Sequence, residues 1–240
     1  MNNLKKNATS IIIPVLNEKE SLEICLKFLK VFINQTHEIL IVYDHKNDNC
    51  LEVKKKLLKK NIKFILNDLG PGISNAIRIG IKKAKYKIIM IMVTDEIIPL
   101  LSFEKMLKLI VNDGYDIVSA TRYSLGGNRF GGSFIGKIFS YFGNLTFCFF
   151  TNFPIRDLTT GIKMFKKDKF LSINKFRFNK GWVFAFELVI NFYLKNFRLA
   201  EVPIISIDRV HGGKSSFNFF VWFKEYFKCY IWGIKKIKFL

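Results

Sequence analysis

The chain has 240 residues, half of them hydrophobic and 26 of them Phe, with a formal charge of +20. This length and apolar content exclude a disordered chain and suffice for one α/β domain, or one domain with an appendage. The charge favours polyanionic partners (nucleic acid, anionic lipid headgroups or phosphorylated substrates), although lysines in a chain also rich in Asn, Ile and Phe are equally what a biased base composition would leave. Cys25, Cys50, Cys148 and Cys229 are scattered, with no C-x-x-C pair or zinc spacing, which reads as reduced thiols in a cytosolic compartment. The start runs straight into a strand-like segment without a signal-peptide pattern, so a cytoplasmic protein is expected.

In chain order, Ser10–Val15 reads as a short buried strand, followed by Asn17-Glu18 and a helix over Ser21–Leu29. Glu38–Tyr43 is a second strand ending at Asp44, Leu51–Lys60 a basic helix, and Ile62–Ile65 a third strand. After the Gly70-Pro71-Gly72 loop, Ile73–Ala84 reads as a helix whose Ala76 and Gly80 are small enough for close packing. Ile88–Val93 is a fourth, fully apolar strand that stops at Thr94-Asp95-Glu96. Alternating strands and helices with polar strand ends predict a doubly wound, mostly parallel sheet, in which ligands bind at the carboxyl ends of the strands. Asp44 and Asp95-Glu96 then open onto one crevice, where carboxylates suit a hard cation such as Mg²⁺ or Mn²⁺. Taken singly, carboxylates at strand ends are also ordinary caps or solvated loop residues.

The second half changes character. Asp116–Tyr123 reads as a further strand that leads into a Gly-rich loop, Gly126-Gly127 to Gly131-Gly132. That loop is either a cover closing over substrate or a flexible surface segment. Ser133–Phe150 carries Lys137 as its one charge and approaches the length of a membrane span, yet Gly136, Gly143 and Asn144 favour a core or interfacial helix. The segment Phe219–Leu240 places Trp222, Phe223, Tyr226, Phe227, Tyr230 and Ile234 on one helical face and Lys224, Lys228 and Lys235 on the other. Such a helix suits a membrane interface; packing on the domain with solvated lysines is the alternative.

Several motifs, in order, resemble the family-2 glycosyltransferases of GT-A fold. Ser10–Glu18 is similar to S-[IV]-[IV]-[IV]-P-x-x-N-E, and Gly70–Ala76 with Gly80 to the family's G-x-G-x-x-x-A…G. Asp116–Tyr123 resembles D-[IV]-V-x-[GA]-[ST]-R-[YF], and Asp157–Phe165 resembles D-x-[TS]-[ST]-G-[FI]-[RK]-x-[FY]. Lys180–Phe184 with Glu187, Glu201–Ile204, and Asp208–Ser215 complete the series. The resemblance runs over residues 10 to 217 and looks closest to the dolichyl- or polyprenyl-phosphate mannose and glucose synthases.

That resemblance implies an α/β GT-A domain over 1–217, with a nucleotide-sugar half at 10–120 and an acceptor half at 121–217, followed by an amphipathic segment at 218–240. By position in the motifs, Pro14, Asn17, Glu18, Tyr43, Asp44, Asp48, Gly72, Thr94, Asp95 and Arg209 bind the donor. Tyr43 stands where the family has the first Asp of D-D-x-S-x-D. Asp95 matches the second Asp of the D-x-D metal motif, Val93 occupies its first position, and Glu96 is a substitute ligand for Mg²⁺ or Mn²⁺. Arg122 matches an arginine that grips an acceptor phosphate, joined at the acceptor by Lys163, Lys214 and Ser215, while Arg209 faces the donor phosphates. Direct displacement with inversion follows, at the cytosolic face of a membrane, from a GDP- or UDP-sugar onto a polyprenyl phosphate or lipid-linked glycan. A lipid phosphate acceptor needs no base; a hydroxyl acceptor does, and Asp157 is then the candidate, or else a loop cap ordering Thr159 and Thr160. His211 either touches phosphate or is a solvated loop residue, and Glu187 either orients a cation or satisfies a buried partner. A hydroxyl-acceptor enzyme of polysaccharide assembly and a non-catalytic nucleotide binder are the rival readings; no motif supports nucleic-acid binding.

Overall fold

The computed structural model describes residues 7–56, 60–207 and 219–239. Its first part alternates β1 (Thr9–Val15), α1 (Lys19–Phe32), β2 (His37–Tyr43), α2 (Leu51–Lys56), β3 (Ile62–Leu66), α3 (Ile73–Lys83) and β4 (Ile88–Ile91). A 3₁₀ turn (Ile98–Ser102) and α4 (Phe103–Val111) lead to β5 (Ile117–Thr121), β6 (Asn128–Phe130) and the long α5 (Phe134–Thr151). Then come β7 (Lys163–Lys166), α6 (Lys167–Leu171), α7 (Val183–Leu194), β8 (Leu199–Pro203), β9 (Ile205–Ile207) and α8 (Phe219–Lys238).

The main sheet has the order β3-β2-β1-β4-β7-β5-β8, and β6 pairs with β9 outside it. All neighbours in the main sheet are parallel except β7, which runs antiparallel to both β4 and β5. This is the mostly parallel sheet expected, with one reversal, and the reversal positions the site. The parallel strands finish at one rim, and β7 begins there, so the loop before β7 is delivered to the ligand-binding edge of the sheet.

Strand period decides the two core layers, because successive side chains point to opposite faces. Ile11, Ile13, Met90, Val118 and Met164 pack with Leu22, Cys25, Leu29, Phe103 and Met106 on one side. Ile12, Ile89, Ile91, Ile117 and Phe165 pack with Ile77, Ile81, Phe184, Val189 and Phe147 on the other. Leu22, Cys25, Leu26 and Leu29 form the buried stripe of α1 at helical spacing. Gly80 lies so close to β1 that a Cβ there would come within 2.6 Å of Ile12 Cγ2, the close approach expected of this helix.

Some boundaries differ from expectation. The fourth strand ends at Ile91 and not Val93; Met92 adds a last bond to the Ile12 carbonyl, at 3.0 Å, and Val93 has already left the sheet. The basic helix is described over Leu51–Lys56, since 57–59 lie outside the described residues. The C-terminal helix does not present its aromatics on one face to solvent. Cys229 and Gly233 are buried, with Tyr226 and Tyr230 packed on the core, while Phe223, Phe227 and Ile231 point outward. Contact with α5 and α7 is close: a Cβ on Gly233 would meet Ile190 Cδ1 at 2.8 Å and Phe147 Cε2 at 2.9 Å. α5 is apolar all round but buries only Asn144, Phe147 and Thr151, leaving Phe134, Phe139, Phe142, Leu145 and Phe149 exposed. Among the described residues no helix is long and apolar enough to cross a membrane.

Candidate active site

Three loops at the carboxyl ends of β1, β2 and β4 are tied together. Asn17 adopts a left-handed backbone (φ 56), which Asn tolerates better than most residues. Its N–H donates to Asp48 Oδ2 at 3.0 Å, and its own side-chain oxygen accepts from the Asn49 N–H at 3.3 Å. Asp48 Oδ1 also accepts from Cys50 N–H at 2.8 Å, so both its oxygens hold backbone and Asp48 clips the loops together. Thr94 is buried and donates to Glu18 Oε2 at 2.5 Å, joining the β4 end to the same cluster. Asp44 accepts from Gly72 N–H at 2.8 Å and Asn67 Nδ2 at 2.7 Å, fixing the glycine loop ahead of α3. Gly72 takes φ 123, a region that disfavours any residue with a Cβ. Pro14 sits where its missing N–H costs nothing. Ile12 bonds toward β4 and Pro14, two residues on, faces the same side, where β4 has ended. Tyr43 ends β2, half-buried against the core.

Across the crevice, the end of β5 and the loop before β7 form a buried ion pair. Arg122 Nε donates to Asp157 Oδ2 at 2.7 Å, Nη2 to Oδ1 at 3.0 Å, and the Arg122 backbone N–H to Oδ2 at 3.1 Å. Asp157 also accepts from the Thr159 and Thr160 N–H groups and the Thr159 hydroxyl. Burial opposes its charge, but Arg122 outweighs burial and holds the carboxyl below its usual range. Burial likewise pulls on Arg122, and Asp157 overrides it, keeping the guanidinium charged. Asp157, the candidate base for a hydroxyl acceptor, is fully buried, with its carboxylate engaged by Arg122, Thr159 and Thr160.

Lys163, expected at the acceptor, is also fully buried; its Nζ donates to Ser119 Oγ at 2.8 Å within the sheet. Burial lowers its pKa to about 7, opposed by Asp157 and assisted by Arg122. Its place on β7 sets it in the core, near the ion pair. Glu187 is the buried partner of a loop: it accepts from the Arg177 and Phe178 N–H groups at 2.6 and 3.0 Å, and burial raises its pKa. Arg209, His211, Lys214 and Ser215 lie outside the described residues.

The crevice opens into a cavity of about 880 Å³. Val93, Asp95, Glu96, Arg122 and Thr159 are among its lining residues, together with Phe139, Trp182, Phe186, Phe223 and Phe227. Trp182 lies against Gly161, where a Cβ would come within 2.5 Å of the indole. Asp95 and Glu96 thus share one cavity with Arg122, while Asp44 and Asp48 serve as loop clips. Sequence reasoning missed Ser140 and Asn144. Ser140 Oγ bonds with Thr159 Oγ1 at 2.8 Å and accepts from Tyr123 OH at 2.9 Å. Asn144 donates to Thr159 Oγ1 at 3.0 Å and accepts from Leu158 N–H at 2.8 Å. Their signal was an i, i+4 polar pair inside an otherwise apolar helix.

The sequence profile of Glycosyl transferase family 2 matches residues 10–173, so the chain belongs to that family and is a glycosyltransferase. Among curated proteins it is 31% identical to a dolichol-phosphate mannosyltransferase of Pyrococcus furiosus over 138 residues, 55% of this chain and 38% of that protein. It is 23% identical to a dolichyl-phosphate hexose transferase of Haloferax volcanii over 201 residues, 81% of each chain. Among solved structures it is similar to glucosyl-3-phosphoglycerate synthase of Mycobacterium tuberculosis in complex with Mn²⁺, UDP and glucosyl-3-phosphoglycerate. There the TM-score is 0.73 and the identity 12%, over 98% of this chain and 84% of that one. The same synthase with Mg²⁺ and UDP gives a TM-score of 0.67 at 12% identity, over 99% and 83%. The fold is GT-A-like.

Proposed function

We propose that this glycosyltransferase moves a sugar, with inversion, from a GDP- or UDP-sugar to a polyprenyl phosphate at the cytosolic surface of a membrane. One observation carries the reading: a single cavity is lined both by carboxylates with Arg122 and by several Phe and Trp side chains. That mixed lining suits an acceptor with an anionic head and a hydrocarbon tail. The setting of Asp157 supports it further, because a phosphate acceptor is already anionic and needs no base. The similarity to proteins named for dolichyl phosphate points the same way.

In this reading the nucleotide lies along the loops joined by Asn17, Asp48, Asp44 and Thr94, and Arg122 receives the acceptor phosphate. Nε and Nη2 of Arg122 are committed to Asp157, Thr159 and Ser140, and Nη1 is outside that network. The pair therefore presents a fixed guanidinium edge to the cavity. An acceptor phosphate oxygen attacks the anomeric carbon as the bond to the nucleoside diphosphate breaks on the opposite side. Asp95 and Glu96 would hold a Mg²⁺ or Mn²⁺ ion, which supplies positive charge to the departing diphosphate. Two carboxylates with phosphate and water completing the coordination are a normal Mg²⁺ donor set, so Val93 reduces the protein's share without abolishing it. Exposed Phe139, Phe142, Phe149, Phe223 and Phe227 on α5 and α8 seat the protein on the bilayer beside the cavity mouth.

The test is a donor screen with radiolabelled UDP- and GDP-sugars, using undecaprenyl phosphate and, separately, soluble oligosaccharides as acceptors. Label is expected in the lipid fraction and lost in Arg122→Lys. Transfer to oligosaccharides alone would overturn the lipid-phosphate reading.

A further inference from the structure

The two helices α5 and α8, which both line the large cavity, touch at two places. The rings of Phe139 on α5 and Phe223 on α8 meet edge to face, with centroids 5.3 Å apart. Farther along, Tyr230 OH donates to Thr146 Oγ1 at 3.0 Å. These contacts are seven residues apart on each helix, so α5 and α8 run side by side in one direction, and helical rise sets the contacts roughly 10 Å apart. Gly143 and Phe227 fall between them, each four residues after the first contact and three before the second, and so on the same helix faces. All six residues line the cavity. We propose that the hydrocarbon chain of the acceptor lies in the seam between the two contacts, against Gly143, and that the missing side chain at 143 admits it; the proposal rests on the lipid-phosphate reading above.

Three observations carry it. The first is a glycine that folding does not call for. Gly143 sits inside the 18-residue α5, where glycine is less stable than alanine, and its backbone is helical, without the positive φ that would require it. It is half-buried, yet among the described residues nothing lies within 4 Å of where its Cβ would be. Gly233 on α8 is the contrast, since a Cβ there would strike Ile190 and Phe147. Packing explains Gly233, whereas Gly143 keeps space open in the cavity wall.

The second observation is the chemistry of the seam. Tyr230 gives its proton to Thr146, and Thr146 gives its own to the Phe142 carbonyl at 2.7 Å. Both hydroxyl protons at this end are thus spent, and the rings of Phe139, Phe223 and Phe227 supply the rest of the seam. Such a lining has no proton to offer a sugar hydroxyl at that end and suits hydrocarbon. The third observation is position. Arg122 Nη2 donates to Ser140 Oγ at 3.4 Å, and Ser140 lines the cavity about one helical turn before Gly143. A phosphate received by Arg122 therefore has its first chain carbons beside Gly143. Phe223 and Phe227 are exposed as well as lining the cavity, so the seam borders the face proposed to meet the bilayer.

The experiment is transfer by the full chain in detergent micelles, using the UDP- or GDP-sugar that labels lipid in the screen above. The acceptors are undecaprenyl phosphate and, separately, citronellyl phosphate with its short chain. Gly143→Leu should raise KM for both acceptors about tenfold, the worth of two buried methylene groups, and leave KM for the sugar donor unchanged. Gly143→Ala should raise the acceptor KM less and melt above wild type, because alanine is the better helix former and meets open space. An acceptor KM unchanged in Gly143→Leu would overturn the proposal, as would an equal rise in the donor KM, the mark of a distorted site. A rise for undecaprenyl phosphate alone would put the obstruction out at the bilayer and also overturn it. If the wild type labels neither lipid phosphate, the acceptor reading falls and the seam with it; if it labels them regardless of residue 143, only the seam falls. A melting curve for each variant checks that it folds.

Discussion

Removing the charge of Asp157 while keeping its shape leaves Arg122 buried without a counter-ion. Breaking a buried pair in this way costs about 3–5 kcal/mol. Asp157→Asn should therefore lower the melting temperature markedly and abolish transfer, whereas a solvent-facing base would cost activity alone. Lys163 gives a prediction with a definite pH sign. Its folded pKa lies near 7, below the unfolded value near 10.4, so between those pH values the unfolded chain binds more protons. Stability linked to this group rises with pH across that window, and the burden is full below pH 7. In Lys163→Met the burden is absent, so the stability of the variant relative to wild type should decline from pH 7 to pH 10, as read by denaturant titration. Val93→Asp adds a third acidic position, beside Asp95 and Glu96, on the cavity wall. Calorimetric titration with UDP present should show tighter Mn²⁺ binding than in wild type; unchanged affinity would separate Asp95 and Glu96 from any metal.

At the scale of elements, close packing makes the sharpest claims. Gly80→Ala forces α3 away from β1 or displaces Ile12, and overpacking of this kind costs about 1–3 kcal/mol, measurable by urea unfolding. The elements that could be read from sequence were those with a clear period. The β1–β4 strands followed from short apolar runs with polar ends, and the α1 and α3 stripes from helical spacing. α5 could not be oriented that way, since large apolar residues lie on both its buried and its exposed sides. Only its Ser140–Asn144 pair marks the inward side, and they bond to the loop bearing Asp157. α8 misled for the opposite reason. Its aromatics form one broad stripe in sequence, but a glycine at 233 lets the helix sink between α5 and α7 and divides that stripe into a buried and an exposed half. Asp44 and Thr94 were placed at strand ends by pattern, yet pattern could not show that each spends its polar atoms on neighbouring loops.

For the whole molecule, the proposed work at a membrane surface would draw on both the charge of +20 and the exposed aromatics of α5 and α8. Attraction of exposed charges is screened within about 10 Å at 0.1 M salt, while apolar insertion is not. Vesicle binding should therefore weaken with added salt and then level off at a residual set by the aromatics; a loss to zero would mean that charge alone holds the protein there. The sheet order was beyond sequence reasoning, because no local pattern says that β7 is reversed or that it lies between β4 and β5.

That reversed strand also sets a schedule for the growing chain. β4 and β5 are separated by a slot that stays open until residues 163–166 have been made. Contacts so distant in sequence form late, after their loop-closure entropy has been met. The half that holds the nucleotide loops can close on itself early, but Asp157 reaches Arg122 only when β7 enters the slot. Until then Arg122 has no counter-ion and the edges of β4 and β5 remain unpaired, the kind of exposed strand that chaperones shield. The last strand to enter the sheet between its neighbours is thus the one that completes the catalytic crevice, so a chain with a finished site is also one whose sheet has closed.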